Sequence, residues 1–293
     1  MIGIFAENDA TRLAVTYNGL TLNDPADPKD DTYEINTIVY GAQFDQTFDS
    51  DPAGDGSEVG NVRRSMLVVR MDGTLRAPSM AKFFDKKVAI AKAFDPALAA
   101  YKNATASGVT PATWGVLPMD FSTPTLDTAN YASGFVPSRY YARAKSGVYV
   151  PTGQFTGEAG FFSVEMLVPE ARRYLQTTST RNGGGTLDNS LADYPSWPTL
   201  TITMAGAGSA TYTITRTGTY STTALVLNLS GLANGNVVTV DFAKRRIYVG
   251  TTETPSLYVS GDYWEVEPTS QTVSITNTTN ATSVVTWRRA WAA

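Results

Sequence analysis

Residues 256–291 read SLYVSGDYWEVEPTSQTVSITNTTNATSVVTWRRAW, and this stretch decides the fold class. Apolar and polar side chains alternate through Tyr263-Trp264-Glu265-Val266-Glu267. They alternate again where Val273 and Ile275 face Ser274 and Thr276, and less strictly through Val284, Val285 and Trp287. A period of two turns one face of a strand to a core and leaves the other wet. Gly-Asp and Asn-Thr-Thr-Asn supply turns between these runs. The chain therefore closes with an antiparallel sheet of short strands.

Working outward, further strands are predicted at Leu200–Met204, Tyr212–Thr215, Ala224–Leu229, Val237–Phe242 and Ile247–Val249. Short strands at this even spacing signal a β-sandwich. Upstream, Arg181-Asn-Gly-Gly-Gly185 reads as the linker between domains, because consecutive glycines resist packing. With 293 residues, two domains are expected. We set them at 1–178 and 186–293, joined by a Gly-rich linker over 179–185.

The first domain mixes strands with one helix. Asn18-Gly19 between Leu13–Tyr17 and Leu20–Leu22 marks a tight hairpin. Tyr33, Ile35 and Ile38–Tyr40 predict a strand, and Ser65–Met71 another. Phe44–Asn61 between them reads as a long acidic loop, of a length usually kept for function. Ser79 is placed to cap a helix in which Met80, Phe83, Phe84, Val88, Ala91 and Phe94 form one apolar stripe. Phe83, Phe84, Val88 and Phe94 are expected to anchor it. Asp95-Pro96 ends this helix and opens a short second one through Tyr101. After a loop rich in Thr, Pro and Gly, strands resume at Ser138–Ala144, Gly147–Val150 and Gly160–Val168. The fold class is thus mainly β, with α+β character in the N-terminal domain.

Composition narrows the chemistry. The chain has no His and no Cys, which removes disulfides, thiol catalysis, cysteine-based zinc sites and the commonest general base. A net charge of −4 hides a strong asymmetry: residues 1–60 carry 12 acidic and two basic side chains, and residues 61–102 carry nine basic and three acidic. Such asymmetry can be self-complementary within one molecule or between identical copies, or be ordinary surface charge. No basic face suited to sequence-specific nucleic-acid binding stands out. Met1–Arg12 does not read as a secretory signal, and no apolar run is long enough to span a membrane.

Each site motif has a plainer alternative. Ser79-x-x-Lys82 matches a penicillin-binding nucleophile pattern but lacks its companion motifs, so a helix cap is expected. Asp49, Asp51, Asp55 and Glu58 suggest a calcium loop, yet Ala53 and Gly60 occupy positions where a hand-type loop needs oxygen ligands. Glu265 and Glu267 share a strand face about 7 Å apart, a glycosidase-like separation, but read as exposed sheet carboxylates. Gly183–Gly185 and Gly206-Ala-Gly208 lack the lysine and helix of a phosphate loop. Trp264, Trp287 and Trp291 would serve a sugar platform, but core packing explains Trp264 or Trp287 more simply, and Trp291 would be exposed or dock on a partner. No cofactor and no metal is expected.

Two stretches carry a family resemblance. Gly160-FFSVEMLVPEARRY ends an apolar strand in a Pro-acidic-x-Arg turn. Val237-VTVDFAKRRIYVG, Ser260-GDYWEVEPTSQTVSI and Val284-VTWRRAW give a strand-turn-strand, a Gly-Asp-aromatic strand and a final Trp-bearing strand. Together they resemble the distal tail proteins of siphovirus-like bacteriophages. The resemblance implies an N-terminal belt domain that closes a homohexameric ring around the tail channel, and a projecting galectin-like C-terminal sandwich. It implies a non-enzymatic virion protein at the distal end of the tail, made in the bacterial host cytoplasm. Its partners would be the tail tube protein, the tail-tip hub protein and a receptor-binding protein or tail fibre. Asp45, Asp49, Asp51, Asp55 and Glu58 would face the channel or a neighbouring subunit. The rival reading is a carbohydrate-binding module or adhesin that uses the sandwich.

Overall fold

The computed structural model describes residues 13–50, 57–98, 116–148, 159–276 and 279–292. The chain divides into two compact units, Met1–Arg173 and Tyr174–Ala292. Among the described residues it is mainly β, with one full α-helix, α1 (Met80–Ala93).

The first unit holds strands β1 (Val15–Tyr17), β2 (Leu20–Leu22), β3 (Tyr33–Ser50), β4 (Ser57–Arg76), β5 (Leu117–Pro124), β6 (Phe135–Ala144) and β7 (Ala159–Val168), in the sheet order β2-β1-β5-β6-β7-β4-β3. β8 (Arg172–Leu175) leads into the second unit. The β1–β2 hairpin turns on Asn18 (φ 49°) and Gly19 (φ 81°), the left-handed pair that a two-residue hairpin requires. β4 and β7 pair in strict register, so Leu67, Val69, Met71 and Leu75 share a face with Val168, Met166, Val164 and Gly160. All four side chains of β4 on that face are buried. Gly73 sits opposite Phe162 because a Cβ there would come within 2.3 Å of the Phe162 ring.

Helix α1 lies on this face, but not through the stripe expected from sequence. Phe83, Ile90 and Phe94 are fully buried, and Ala93 is buried beside them. Phe94 stacks on Tyr17 with centroids 5.1 Å apart, and Phe83 fits the gap that Gly160 leaves. Met80, Phe84 and Val88 are 45%, 51% and 49% exposed. The expected anchors Phe84 and Val88 are therefore corrected: Ile90 takes their place, since the buried face follows i, i+7, i+11. The cap is as expected, with Ser79 extended (φ −156°) and accepting from the Lys82 N–H at 3.4 Å. Ser79→Ala should cost about 1 kcal/mol, read as a lower denaturant midpoint with unchanged slope. Asp95 in turn accepts from the N–H groups of Ala97 and Leu98. Residues 96–98 are helical, and the rest of that expected helix lies outside the described residues.

Two further sequence expectations fail in this unit. β5 was not foreseen, since Pro118 and Pro124 argue against a strand. Both prolines fall outside Met119–Phe121, the segment of β5 that pairs with β1. The long acidic loop is the second. β3 continues to Ser50 and β4 starts at Ser57, so most of Phe44–Asn61 is a paired hairpin.

Burial also gives this unit an alkaline limit. The phenols of Tyr17, Tyr33 and Tyr40 are each pushed up to about 12, first by burial and, for Tyr33, also by Asp27 and Asp31. In the unfolded chain they ionise near 10. Above that pH the unfolded state sheds protons that the folded state keeps, so stability falls as pH rises from 10 through 12. Thermal melts across that range should show a progressive loss; constant melting would contradict it.

The second unit is two sheets around one core. The first contains β10 (Gly185–Asp188), β12 (Tyr212–Thr217), β13 (Thr222–Leu227), β17 (Tyr258–Gly261) and β18 (Ser270–Thr276), in the order β10-β18-β12-β13-β17. The second contains β9 (Ser179–Asn182), β11 (Thr199–Met204), β14 (Val237–Asp241), β15 (Arg246–Val249), β16 (Thr252–Glu253) and β19 (Ala281–Trp287), in the order β16-β15-β14-β11-β19-β9. β20 (Ala290–Ala292) ends the chain's described strands. Leu200, Ile202, Ile214, Leu225, Leu227, Val238, Val240, Phe242 and Val285 are fully buried between the sheets.

Residues 179–185 do not act as a linker. Ser179–Asn182 pairs with β19 in one sheet, and Gly185–Asp188 pairs with β18 in the other. The glycines carry the chain between sheets: Gly183 and Gly185 have φ of 64° and 136°, and a Cβ on Gly184 would lie 2.9 Å from the Val273 carbonyl oxygen. Arg181 closes the crossing by donating to the Gly184 carbonyl at 3.0 and 3.2 Å.

Candidate functional site

The acidic hairpin is the first candidate. Within β3 and β4, Asp45 stands opposite Arg63, and Asp49 opposite Glu58. Asp51 and Asp55 lie outside the described residues. The calcium reading, which needs Asp51 and Asp55, therefore falls outside the described residues.

Among the described residues β4 pairs with β7 from Leu67 to Arg76. From Phe44↔Arg64 to Ser50↔Ser57 the described pairing of β3 and β4 is with each other alone. Beyond Leu67, then, the described pairing of β4 is with β3. The sequence from 46 to 62 carries four acidic and no basic side chains.

The other motifs resolve into structure. Ser79 accepts from the backbone N–H of Lys82, so it caps a helix. Gly208 approaches the Leu229 carbonyl so closely that a Cβ would sit 1.8 Å from its oxygen. The turn borders a recess of about 200 Å³ lined by Met204, Ser209, Tyr212, Leu229 and Asn280. Trp264 and Trp287 are buried, and Trp264 packs on Phe242 with centroids 4.6 Å apart. Trp291 is half-buried and donates from Nε1 to the Leu191 carbonyl at 3.1 Å. The three do not form an exposed platform.

Glu265 and Glu267 require a larger correction. They lie in an extended segment whose one ladder contact is the bridge of Val266 to Ser196. Glu265 is half-buried, whereas Glu267 is buried, 7% exposed, against an Arg216 that is 3% exposed. Along β12, Tyr212, Ile214 and Arg216 all point inward. The guanidinium donates through Nη1 to Glu267 Oε1 and, at 3.3 Å, to Gln271 Oε1. Through Nη2 it donates to Ser221 and, at 3.4 Å, to Thr223. Glu267 Oε2 accepts from the N–H groups of Thr219 and Tyr220 at 2.9 and 3.4 Å. Gly218 makes this approach feasible, since a Cβ would lie 2.5 Å from Oε1. Asn189 donates to the Glu267 carbonyl at 3.0 Å. The carboxylate thereby ties the β12–β13 turn to the segment before β18. It is a clamp, with every oxygen engaged and no room for a substrate.

The comparisons place this architecture. Residues 191–291 match the family model described as siphovirus-type tail component, C-terminal domain. Among solved structures, the SPP1 Dit (gp 19.1) protein, described as a paradigm of hub adsorption apparatus in Gram-positive infecting phages, aligns with a TM-score of 0.62 at 11% identity, covering 95% of this chain and 98% of its own. A chain of the phage P2 baseplate in its activated conformation with Ca aligns over 94% of this chain and 97% of its own, at 8% identity and a TM-score of 0.46. No curated protein matches the sequence. The resemblance read from the sequence is borne out, and SPP1 Dit shares the fold along almost the full chain.

Proposed function

We propose that this protein is a structural component of the distal end of a siphovirus-type phage tail. The observation that carries the reading is the coincidence of two likenesses: the family match over residues 191–291 and the fold shared with SPP1 Dit over 95% of the chain. In this reading the N-terminal unit acts as a belt, closing a homohexameric ring around the channel through which DNA passes. The C-terminal unit is a galectin-like sandwich that projects outward. The ring joins the tail tube protein to the tail-tip hub and to a receptor-binding protein or fibre.

Charge and surface support a scaffold. Residues 1–60 are strongly acidic and residues 61–102 strongly basic, which favours head-to-tail contact between copies over binding of a polyanion. Glu267, the most enclosed carboxylate of the motifs considered, is consumed by the clamp. An acidic lumen would repel passing DNA and ease its transit. The experiment is solution mass of the full chain by light scattering. A species near six times 31.5 kDa supports the ring. A monomer at every concentration, together with glycan binding by the intact protein, supports the adhesin reading instead.

A further inference from the structure

We propose that the outward face of the five-stranded sheet in the second unit binds a neutral glycan, a chain of uncharged sugar rings. This adds a ligand to the scaffold and does not depend on ring closure.

The face is built by register. Along β12, Tyr212, Ile214 and Arg216 turn inward, so Thr213, Thr215 and Thr217 turn outward. On β18 they stand opposite Thr276, Ser274 and Thr272. Thr272 is in turn opposite Thr186 of β10, and Thr217 opposite Thr222 of β13, so one row of four threonines crosses four strands. Hydroxyls therefore recur about every 4.8 Å across the strands and about every 6.8 Å along them.

Threonine is ordinary on a wet strand face, but three features set this one apart. First, no hydroxyl of Thr213, Thr215, Thr217, Thr272, Ser274 or Thr276 is spent on a hydrogen bond among the described residues. In the first unit cross-strand hydroxyls bond to each other, as in Thr16 with Thr21 and Thr123 with Ser138. Second, the outward strand positions carry charge at one corner alone: Asp188, opposite Ser270, whose carboxylate accepts from the Ser190 N–H and hydroxyl. The outward side of the other sheet has Asp241 opposite Arg246, and Glu253 opposite Tyr248. Third, the turn after Thr217 holds Tyr220 78% exposed, the most exposed aromatic ring among the described residues. Glu267 fixes that turn through the N–H groups of Thr219 and Tyr220, so the ring stands on a rigid base.

These features select the ligand. A polyanion needs Lys and Arg, and neither stands on an outward position of these strands. A protein contact draws on aromatic, Met and Arg side chains, whereas Ser and Thr are scarce at its hot spots. The apolar members of this face, Ala224 and Val226, are both half-buried. Hydroxyls that donate and accept match those of a sugar, and an exposed phenol ring can lie against the C–H face of a pyranose. Threonine is stiff at χ1, so binding costs little side-chain freedom. Each hydrogen bond replaces one to water, so a single site binds weakly. Copies held together would raise the avidity by about 10²–10⁴.

The test is an array of neutral and anionic glycans probed with the full chain. A neutral glycan should be retained, and sulfated or sialylated forms should bind no better. Titrated with that glycan, Thr215→Glu sets a charge in the middle of the face and should lower affinity more than about tenfold, with the denaturation midpoint unchanged. Tyr220→Ala tests the same site without altering a strand and should weaken binding at least about fivefold. Thr203→Glu, on the outward side of the other sheet, should leave affinity unchanged. No retained neutral glycan, a preference for anionic forms, or equal losses for Thr215→Glu and Thr203→Glu would overturn the proposal. So would a change of solution mass on Thr215→Glu, which would make the face a contact between copies. Glycan retention by a monomer or by a hexamer supports the site equally, so its fate is separate from that of the ring.

Discussion

Replacing Glu267 with alanine should destabilise the C-terminal unit by about 3–5 kcal/mol, the cost of leaving a buried charge without its partner. Arg216 has almost no surface through which water can reach it. Its remaining partners, Gln271, Ser221 and Thr223, are neutral and do not offset the charge. The turn N–H groups of Thr219 and Tyr220 lose their acceptor at the same time. Against a total stability of about 5–15 kcal/mol, this is a large fraction. Glu267→Gln keeps an oxygen for the turn but not the charge, so its loss should be smaller and still substantial. Arg216→Met combined with Glu267→Leu removes both charges and should recover much of the deficit, because an apolar pair of similar volume avoids the desolvation of two ions. Urea unfolding of the four proteins separates these terms. A loss below about 1 kcal/mol for Glu267→Ala would mean that water reaches Arg216 as it does at an exposed pair.

Phe242→Ala should cost a similar amount, about 3–5 kcal/mol, for a different reason. Phe242 is fully buried at the end of β14, against Trp264 at 4.6 Å and Tyr263 at 5.8 Å between centroids. Truncation leaves a void walled by rigid rings, which collapse poorly into it. Tyr220→Ala provides the contrast, since that side chain is 78% exposed on the β12–β13 turn. It should change stability by no more than about 0.5 kcal/mol. Equal losses for the two would refute the packing account of this core.

What the sequence revealed and what it hid follow from range. Asn18-Gly19 and Ser79 act within a few residues, so the hairpin and the cap were legible directly. The alternation at 200–204, 212–215 and 273–275 reports burial strand by strand, so the β-sandwich was legible too. Arg216 and Glu267 are 51 residues apart, and no local pattern joins them. A signal did exist: Arg216 falls in phase with Tyr212 and Ile214, and an arginine on an apolar face requires a carboxylate. The helix was found, but Phe84 and Val88 were assigned to its core because the apolar set is wider than the buried face. Ile90 was overlooked within it. Residues 44–50 and 57–61 were mistaken for a loop because their polar, glycine-bearing sequence shows no strict alternation, although they pair with one another. Gly183–Gly185 read as slack chain, when their backbone angles serve a crossing from one sheet to the other. Both errors have one cause: composition reports flexibility, whereas pairing partners decide structure.

The same limits apply to function. With no His or Cys in the chain, and with Ser79, Glu267, Trp264 and Trp287 all engaged in capping, clamping or packing, the residues that most resembled a site prove to be scaffold.

The most direct measurement is an electron-microscopic reconstruction of the tail of a particle that carries this chain. The account predicts six copies in a closed ring at the far end of the tail tube, with the N-terminal unit around the channel. Density at that end which excludes this fold, or a reconstruction with the chain missing from the tail altogether, would contradict it.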